Sequence, residues 1–358
     1  MKQSKGKSVM RSISLFSGCG GLDLGLHEVG FKTVLASDSE QLCADTWQQS
    51  MPSVPFVVSR IGALTRANIT AALGGKIGEI DLIAGGPPCP PFSKSRFYRK
   101  DKPRALEDPN GWETINGYLS MLDWVRPRAF ILENVKGLAY KVHADALDTI
   151  IERAEKLGYK ISTDVLNAAD FGVPQIRERC FVVGSLDAKV TLPSPTHSRE
   201  PSPGLLPWVN AGDVLYDLDT DENASDEGHF AGGQHHDLLR QIPPGDNYLY
   251  FTEKRGHPAP KFKWRGRYWS FLLKLSPDMP SWTIQARRSN NMGPFHWRNR
   301  ILRISEIKRL QTFPDAFTLV GTIEQQWRQI GNAVPPMLAA AVGRSVAEAI
   351  GSKLSDAA

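Results

Sequence analysis

The stretch from Ile13 to Gly30, which reads ISLFSGCGGLDLGLHEVG, decides the fold. It opens with a short apolar run and passes through a glycine-rich turn. Leucine and valine then recur at helical spacing until Gly30, a residue that commonly ends a helix. This order predicts a strand, a tight turn and a helix.

The alternation of strand and helix continues far beyond this unit. Strands that alternate with helices imply a parallel sheet of the doubly wound type, so we predict an α/β domain. The further strands are predicted at 33–37, 56–58, 80–84, 129–132, 161–166 and 180–184, and the helices at 40–49, 66–73, 112–124 and 144–157.

The character of the chain changes near Leu192, where prolines cluster and aromatic residues are scattered. Helical periodicity returns at 306–311 and at 335–350, and the last helix carries an apolar stripe that predicts packing against the first domain. We therefore predict a catalytic and cofactor-binding domain at 11–190, a smaller irregular domain at 191–299, and a carboxyl-terminal segment at 300–350 that returns to the catalytic domain.

Composition limits the classes of protein to which the chain can belong. The chain has 358 residues, 43 of them Lys or Arg and 38 Asp or Glu, so the formal net charge of +5 mildly favours polyanionic partners. Its apolar runs are too short to cross a membrane, and the first eleven residues are polar and basic. These features predict a soluble cytoplasmic protein with no membrane partner.

The four cysteines show neither a disulfide framework nor the spacing of metal ligands, so we predict no metal. Cys89 stands out because four prolines flank it at the predicted carboxyl end of a strand, and a rigidly presented thiol suits nucleophilic attack. A buried structural cysteine in a tight turn is the alternative.

Other polar residues also follow predicted strands. The glycine turn together with Asp38 suits an adenosine-type cofactor, although a structural turn with a helix-capping Asp is the alternative. Glu133 could protonate a ring nitrogen or simply cap the next helix. Arg177 and Arg179 alternate onto one face and could bind carbonyl or phosphate oxygens, or lie solvated on an edge strand.

Six blocks, in order, closely resemble the DNA (cytosine-5) methyltransferase family. The resemblance implies a Rossmann-like S-adenosylmethionine-dependent methyltransferase domain, with the irregular region as the target-recognition domain. The blocks are FSGCGG at Phe16–Gly21, GGPPCPPFS at Gly85–Ser93, ENV at Glu133–Val135, QIRER at Gln175–Arg179, RLQTFPD at Arg309–Asp315 and QIGNAVPP at Gln329–Pro336.

The resemblance also implies a mechanism. The Cys89 thiolate adds to C6 of a flipped-out cytosine, Glu133 protonates N3, and Arg177 and Arg179 hold O2 and keep the surroundings electropositive. The methyl group of S-adenosylmethionine is then transferred to C5. The implied cofactor-binding residues are Phe16, Gly18, Gly20, Gly21, Asp38, Ile61, Gly86, Pro88 and Asn332.

One departure from the family concerns the cofactor. The family usually carries an Asp that contacts the adenine amine, and Arg60 stands in its place. On that alignment, the substitution Arg60→Asp is expected to tighten cofactor binding.

The basic, aromatic stretch Lys254–Trp269 predicts phosphate contacts, with a solvated loop as the alternative. The acidic run Asp217–Glu227 is predicted to face away from DNA. The predicted DNA-binding residues are Ser93, Lys261, Lys263, Arg265, Arg267, Arg287 and Arg288.

The expected partner is double-stranded DNA, and a cognate restriction endonuclease acting separately is a further possibility; the protein itself is expected to be a monomer. Two alternatives stay open at this point. One is a tRNA cytosine-5 methyltransferase, because the catalytic blocks do not distinguish nucleic acids. The other is a catalytically silent DNA-binding protein on the same fold.

Overall fold

A seven-stranded sheet forms the centre of the computed structural model, which describes residues 9–88, 107–220 and 230–351. The strand order is β3-β2-β1-β4-β5-β7-β6. The strands are β1 (Met10–Leu15), β2 (Phe31–Asp38), β3 (Phe56–Val58), β4 (Leu82–Gly85), β5 (Ala129–Val135), β6 (Lys160–Asn167) and β7 (Glu178–Ser185).

The predicted α/β class with a parallel sheet is confirmed, and one strand departs from the parallel order. Strands β1 to β5 are parallel, whereas β7 lies antiparallel between β5 and β6. The cause is the connection between β6 and β7, residues 168–177, which contains a 3₁₀ turn at Ala168–Phe171 and no helix that could cross the sheet. A parallel crossover needs a dozen residues or more, and this connection is shorter.

Helices pack against the sheet, and further helices follow in the carboxyl-terminal part of the chain. The helix at 323–332 was not predicted, although Thr322 and Gln325 form a capping box that marks its start. The helices are α1 (Gly21–Glu28), α2 (Gln41–Ser50), α3 (Arg66–Ala72), α4 (Pro109–Val125), α5 (Ala144–Lys156), α6 (Ala211–Leu215), α7 (His236–Gln241), α8 (Ile304–Leu310), α9 (Ile323–Asn332) and α10 (Pro336–Ala349).

Helix α10 packs directly on α1. A Cβ atom at Gly25 would lie 2.1 Å from the carbonyl oxygen of Pro336, so only glycine allows this approach. The stripe Leu338, Val342 and Val346 is fully buried in the same apolar cluster as Leu26. The last helix therefore closes one face of the sheet.

The rest of the carboxyl-terminal segment belongs to a different core. Leu310 and Trp327 are buried together with residues of the irregular region, such as Phe251 and Leu272, and with Trp47 of α2. The segment after residue 300 is thus divided: α8 and α9 pack with the irregular region, and α10 packs with the sheet. Among the described residues, no helix is long and apolar enough to span a membrane.

The contact between α1 and α10 generates a stability prediction. Gly25→Ala should lower the free energy of unfolding by about 1–3 kcal/mol, because the new methyl group overlaps backbone atoms of α10 that cannot move independently. Thermal and denaturant unfolding measure the effect. Gly266→Ala is the matched control, since a Cβ there meets no atom within 4 Å, and its effect should stay below about 0.5 kcal/mol. Equal stability of the two variants would contradict this account.

Candidate active site

A cavity of about 500 Å³ opens at the carboxyl ends of β1, β2, β3 and β4. Ligands of open α/β sheets bind at this edge, and the volume suits a nucleoside-sized cofactor. Of the predicted cofactor residues, four line the cavity: Phe16, Asp38, Ile61 and Pro88.

The glycine-rich turn is held against β2 and α2. Phe16 has a φ of 51°, which is strained for a residue with a side chain and is typical of functional turns. The backbone nitrogen of Ser17 donates to Ser37, and the Trp47 indole donates to the carbonyl of Gly18 at 3.1 Å. The turn therefore presents the Phe16 ring to the cavity from a fixed backbone.

The other two glycines of the turn are required for different reasons: Gly20 has a φ of 89°, which favours glycine, and Gly21 packs against backbone. A Cβ atom at Gly20 would lie 2.5 Å from the Met51 side chain, and one at Gly21 would lie 2.4 Å from the carbonyl oxygen of Val334. The described residues that line the cavity include none of the three glycines, Gly18, Gly20 and Gly21. Their use as direct cofactor contacts stays a prediction.

Asp38 is fixed at the end of β2. Its Oδ2 accepts the Gly18 amide hydrogen bond and its Oδ1 accepts that of Glu40, both at 3.0 Å. Burial raises the pKa of this carboxyl. Each oxygen retains a further lone pair, so the side chain can also accept hydrogen bonds from ligand hydroxyls.

Arg60 and Glu113 pair at the cavity wall. The Arg60 Nη2 lies 2.6 Å from the Glu113 Oε2, its Nε donates to Oε1 at 3.2 Å, and Nη2 also donates to Asn110. Gly62 lies beside this pair, and a Cβ there would lie 2.7 Å from the Glu113 carboxylate, which would have to shift. An Asp at position 60 would face Glu113 with like charge, so the expectation that Arg60→Asp tightens cofactor binding is replaced by the opposite one.

Gly86, directly after β4, lies close to the Glu133 carboxylate. A Cβ atom at Gly86 would lie 2.7 Å from the Glu133 Oε2, so the glycine makes room for the carboxylate. The Asn134 amide donates to the carbonyl oxygen of Pro87 at 3.1 Å and is 1 % exposed. Asn134 was missed as a functional residue, and its place in the Glu-Asn-Val block was the available signal.

Glu133 and Arg179 form a buried ion pair, with 2.9 Å between Oε1 and Nε. The antiparallel register places Val135 opposite Arg179 and Glu133 opposite Phe181, so the two charged residues are diagonal neighbours on one face. Burial raises the pKa of Glu133, and Arg179 and Arg177 partly offset that rise. The Glu133 carboxyl at the sheet edge therefore holds a proton more readily than a glutamate in water does.

Arg177 has a different environment from the one predicted. It is 1 % exposed, and its guanidinium donates to the carbonyl oxygens of Ile284, Gly331 and Ala333 at 2.8–3.1 Å. Gln175 adds a hydrogen bond to the carbonyl of Leu310. These contacts tie the sheet edge to the irregular region and to the carboxyl-terminal segment, whereas the Arg179 guanidinium pairs with Glu133.

Cys89 and Ser93 lie outside the described residues, as do 221–229 of the acidic run and the side chain of Arg267. The three described cysteines are buried, and burial raises the pKa of every one: to about 12 for Cys19, to about 11 for Cys180, and strongly for Cys43. Buried thiols with raised pKa values are poor nucleophiles.

The predicted DNA-binding residues differ in environment. Lys261, Lys263, Arg265 and Arg287 are exposed, whereas Arg288 is half-buried and pairs with Glu324 at 3.1 Å. Asn332, predicted for the cofactor, is exposed at the end of α9 and is not among the described residues that line the cavity. In the acidic run, Asp217 pairs with Arg309 and Asp219 with Arg298, so these two carboxylates face protein partners.

The strand order and the cavity at the sheet edge define an S-adenosylmethionine-dependent methyltransferase fold. The C-5 cytosine-specific DNA methylase family model matches residues 10–348. The chain is 38 % identical to the type II methyltransferase M.SacI of Streptomyces achromogenes, over 95 % of this chain and 93 % of that protein. It is 35 % identical to the type II methyltransferase M.NgoFVII of Neisseria gonorrhoeae, over 93 % of this chain and 85 % of that protein.

A solved structure agrees on the fold. It is that of a proposed DNA modification methyltransferase encoded within an E. coli prophage, with a TM-score of 0.67 and 22 % identity over 95 % of this chain and 99 % of that one. The chain belongs to the C-5 cytosine-specific DNA methylase family. It is therefore an enzyme that methylates C5 of cytosine in DNA with S-adenosylmethionine as methyl donor, and neither the tRNA alternative nor the silent DNA-binding alternative is favoured.

The buried ion pair generates a pH prediction. If Glu133 acts as an acid, activity falls as pH rises through its pKa. Arg179→Gln removes a charge that lowers this pKa, so the alkaline limb of the rate profile should move to higher pH while the maximal rate falls. Single-turnover methyl transfer across a pH series measures both. Arg179→Lys keeps the charge and should leave the limb close to that of the unmodified enzyme; an unmoved limb in Arg179→Gln would contradict the assignment.

Proposed function

We propose that this enzyme methylates cytosine within one short sequence of double-stranded DNA, through a covalent adduct between Cys89 and C6. C5 of cytosine is a weak nucleophile, and addition of a thiolate to C6 makes it enamine-like. The elimination of alternatives supports Cys89: the chain has four cysteines, and the other three are buried with raised thiol pKa values. The thiolate can reach C6 only after the cytosine leaves the helical stack.

Glu133 is the proposed acid. The observation that carries this assignment is a buried carboxyl that keeps a raised pKa beside a guanidinium, directly against the strand end that leads to Cys89. Its proton on N3 would offset the negative charge that develops in the ring as the thiolate adds. Arg179 both orients Glu133 and can donate to O2 of the base.

Arg177 is proposed as a positioning residue. Its guanidinium is occupied by three backbone carbonyls that belong to the irregular region and to the carboxyl-terminal segment. These contacts hold both parts of the chain at the sheet edge, where they can close on bound DNA. Asn134 has a comparable role towards Pro87, which precedes Cys89 by two residues in the sequence.

The cavity at the carboxyl ends of β1 to β4 is the proposed cofactor site. Phe16 and Ile61 supply apolar walls for the adenine, and Asp38 would accept hydrogen bonds from the ribose hydroxyls. Glu113, held by Arg60, would accept a hydrogen bond from the adenine amine in place of the Asp that the family usually carries. S-adenosylmethionine, when bound, supplies the electrophilic methyl group.

The irregular region, 191–299, is the proposed target-recognition domain, with Lys261, Lys263, Arg265 and Arg287 on DNA phosphates or bases. The names of the relatives support a place in a restriction-modification system, and a separate restriction endonuclease would then be the functional partner. We further propose that the enzyme acts as a monomer in the cytoplasm, where its DNA is found.

Methyl transfer to mixed substrates tests the proposed reaction. Labelled methyl from S-adenosylmethionine should enter pooled genomic DNA and not pooled tRNA, and bisulfite sequencing should confine it to one short motif. Cys89→Ala should lower the rate to background while DNA binding persists. Cys43→Ala is a control that keeps Cys89 and should retain activity. Full activity of Cys89→Ala, or label in tRNA alone, would contradict the proposal.

The Arg60–Glu113 pair generates a binding prediction. Arg60→Asp should weaken binding of S-adenosylhomocysteine about tenfold or more, because two carboxylates would repel each other at the cavity wall. The exchange Arg60→Glu with Glu113→Arg restores the pair but moves the carboxylate, so it should recover fold stability without full affinity. Calorimetry measures both. Glu113→Ala should weaken binding of S-inosylhomocysteine, which lacks the adenine amine, less than it weakens binding of S-adenosylhomocysteine. Equal losses of affinity for the two ligands would contradict the proposed contact between Glu113 and the amine.

A further inference from the structure

A second cavity, of about 570 Å³, lies wholly within the irregular region and is separate from the cofactor site. Its wall is aromatic and its rim is polar and basic. Six of its lining residues carry the argument: His235, Tyr248, Phe262, Phe271, Lys263 and Arg265.

The aromatic wall is a set of four rings in edge-to-face contact. The centroids of Phe262 and Phe271 are 5.7 Å apart, and each also packs edge-to-face on His235 and Tyr248 at 5.4–5.7 Å. Phe262 and Phe271 are only partly buried. Rings in edge-to-face contact cannot all bury their faces on one another, and all four rings line the cavity, so part of their surface is open to a ligand.

The rim of the cavity is cationic, and hydrogen bonds join its backbone to the Tyr248 ring of the aromatic wall. The Tyr248 hydroxyl donates to the carbonyl of Arg265 at 2.6 Å and accepts from its amide at 3.1 Å. The side chains of Lys261, Lys263 and Arg265 are exposed, and none of them forms an ion pair with a carboxylate of the described residues. Arg255 and Arg298, elsewhere in the region, do pair with Asp246 and Asp219.

We propose that this cavity accepts a base unstacked from the bound DNA, other than the cytosine that is methylated, with the neighbouring phosphates on Lys261, Lys263 and Arg265. The inference rests on the proposed DNA substrate. Aromatic faces bind bases of any sequence by stacking, and unpaired cations beside them bind the phosphates. A methylated ammonium group would also suit aromatic rings, but the cationic rim repels it.

The cavity lies within reach of the same duplex as the catalytic edge. Arg177 contacts the carbonyl of Ile284, and Asn291, which lines the cavity, is seven residues further along the chain. A fully extended segment of that length spans at most about 25 Å, the rise of about seven base pairs. Gln234 and Asn291 place amide groups at the cavity, where they can hydrogen-bond a base edge.

Photo-crosslinking of the full-length enzyme tests this proposal. Duplexes that contain the methylated motif would carry 5-iodouracil at successive flanking positions on each strand, and cross-linked peptides would be mapped by mass spectrometry. At one position the link should form to Tyr248, Phe262 or Phe271. Links confined to residues outside the cavity, on duplexes that are still methylated, would overturn the inference. Failure of every duplex to be methylated would instead overturn the proposed function.

A variant pair supplies an independent readout. Phe262→Leu removes a stacking face but keeps apolar volume, so affinity for the motif duplex should fall by about 5- to 100-fold, and Phe262→Trp should restore it. Tyr216→Leu removes an exposed aromatic residue that does not line the cavity, and its affinity should be unchanged. Thermal unfolding checks that each variant folds. Unchanged affinity in a folded Phe262→Leu protein would overturn the inference.

Discussion

The antiparallel pairing of β7 with β5 is the constraint on which the proposed catalytic site depends. Register sets Val135 opposite Arg179, and the long guanidinium side chain then reaches diagonally to Glu133 on the same face. A parallel strand in that position would have its carboxyl end at this edge, so the residues before it, Gln175–Arg177 among them, would lie at the opposite end of the sheet. The short connection from β6 enforces the antiparallel direction, and thereby brings the Gln-Ile-Arg-Glu-Arg block to the strand end that carries Glu133.

Near this pair and elsewhere in the fold, glycines leave space that neighbouring groups occupy. Gly86 leaves space for the Glu133 carboxylate, Gly62 leaves space for Glu113, and Gly25 lets α10 lie on α1. Arg177 then joins three distant parts of the chain through their carbonyl oxygens. The enzyme thus places a buried carboxyl, a basic partner and Pro87, two residues before Cys89 in the sequence, at one edge, with the cavity proposed for the cofactor beside them.

Sequence patterns predicted the alternating elements well because glycines, apolar runs and helix stripes act locally. They failed where distant contacts decide the outcome. The reversed direction of β7 depends on the length of a connection, and the burial of Arg177 depends on carbonyls more than a hundred residues away. The partner of Arg60 could not be predicted from its neighbours in the sequence, since Glu113 lies in α4, 53 residues further along the chain. The division of 300–350 between two cores likewise follows only from packing.

The most direct test uses a motif duplex with 5-fluorocytosine at the methylated position. A fluorine at C5 cannot leave as a cation, so the adduct that normally breaks down after methyl transfer should remain on the enzyme. We expect a covalent complex through the Cys89 peptide, formed about 10²- to 10⁴-fold more slowly by Glu133→Gln, because the acid no longer assists addition to C6. An adduct through another residue, or one formed equally fast by Glu133→Gln, would contradict the account.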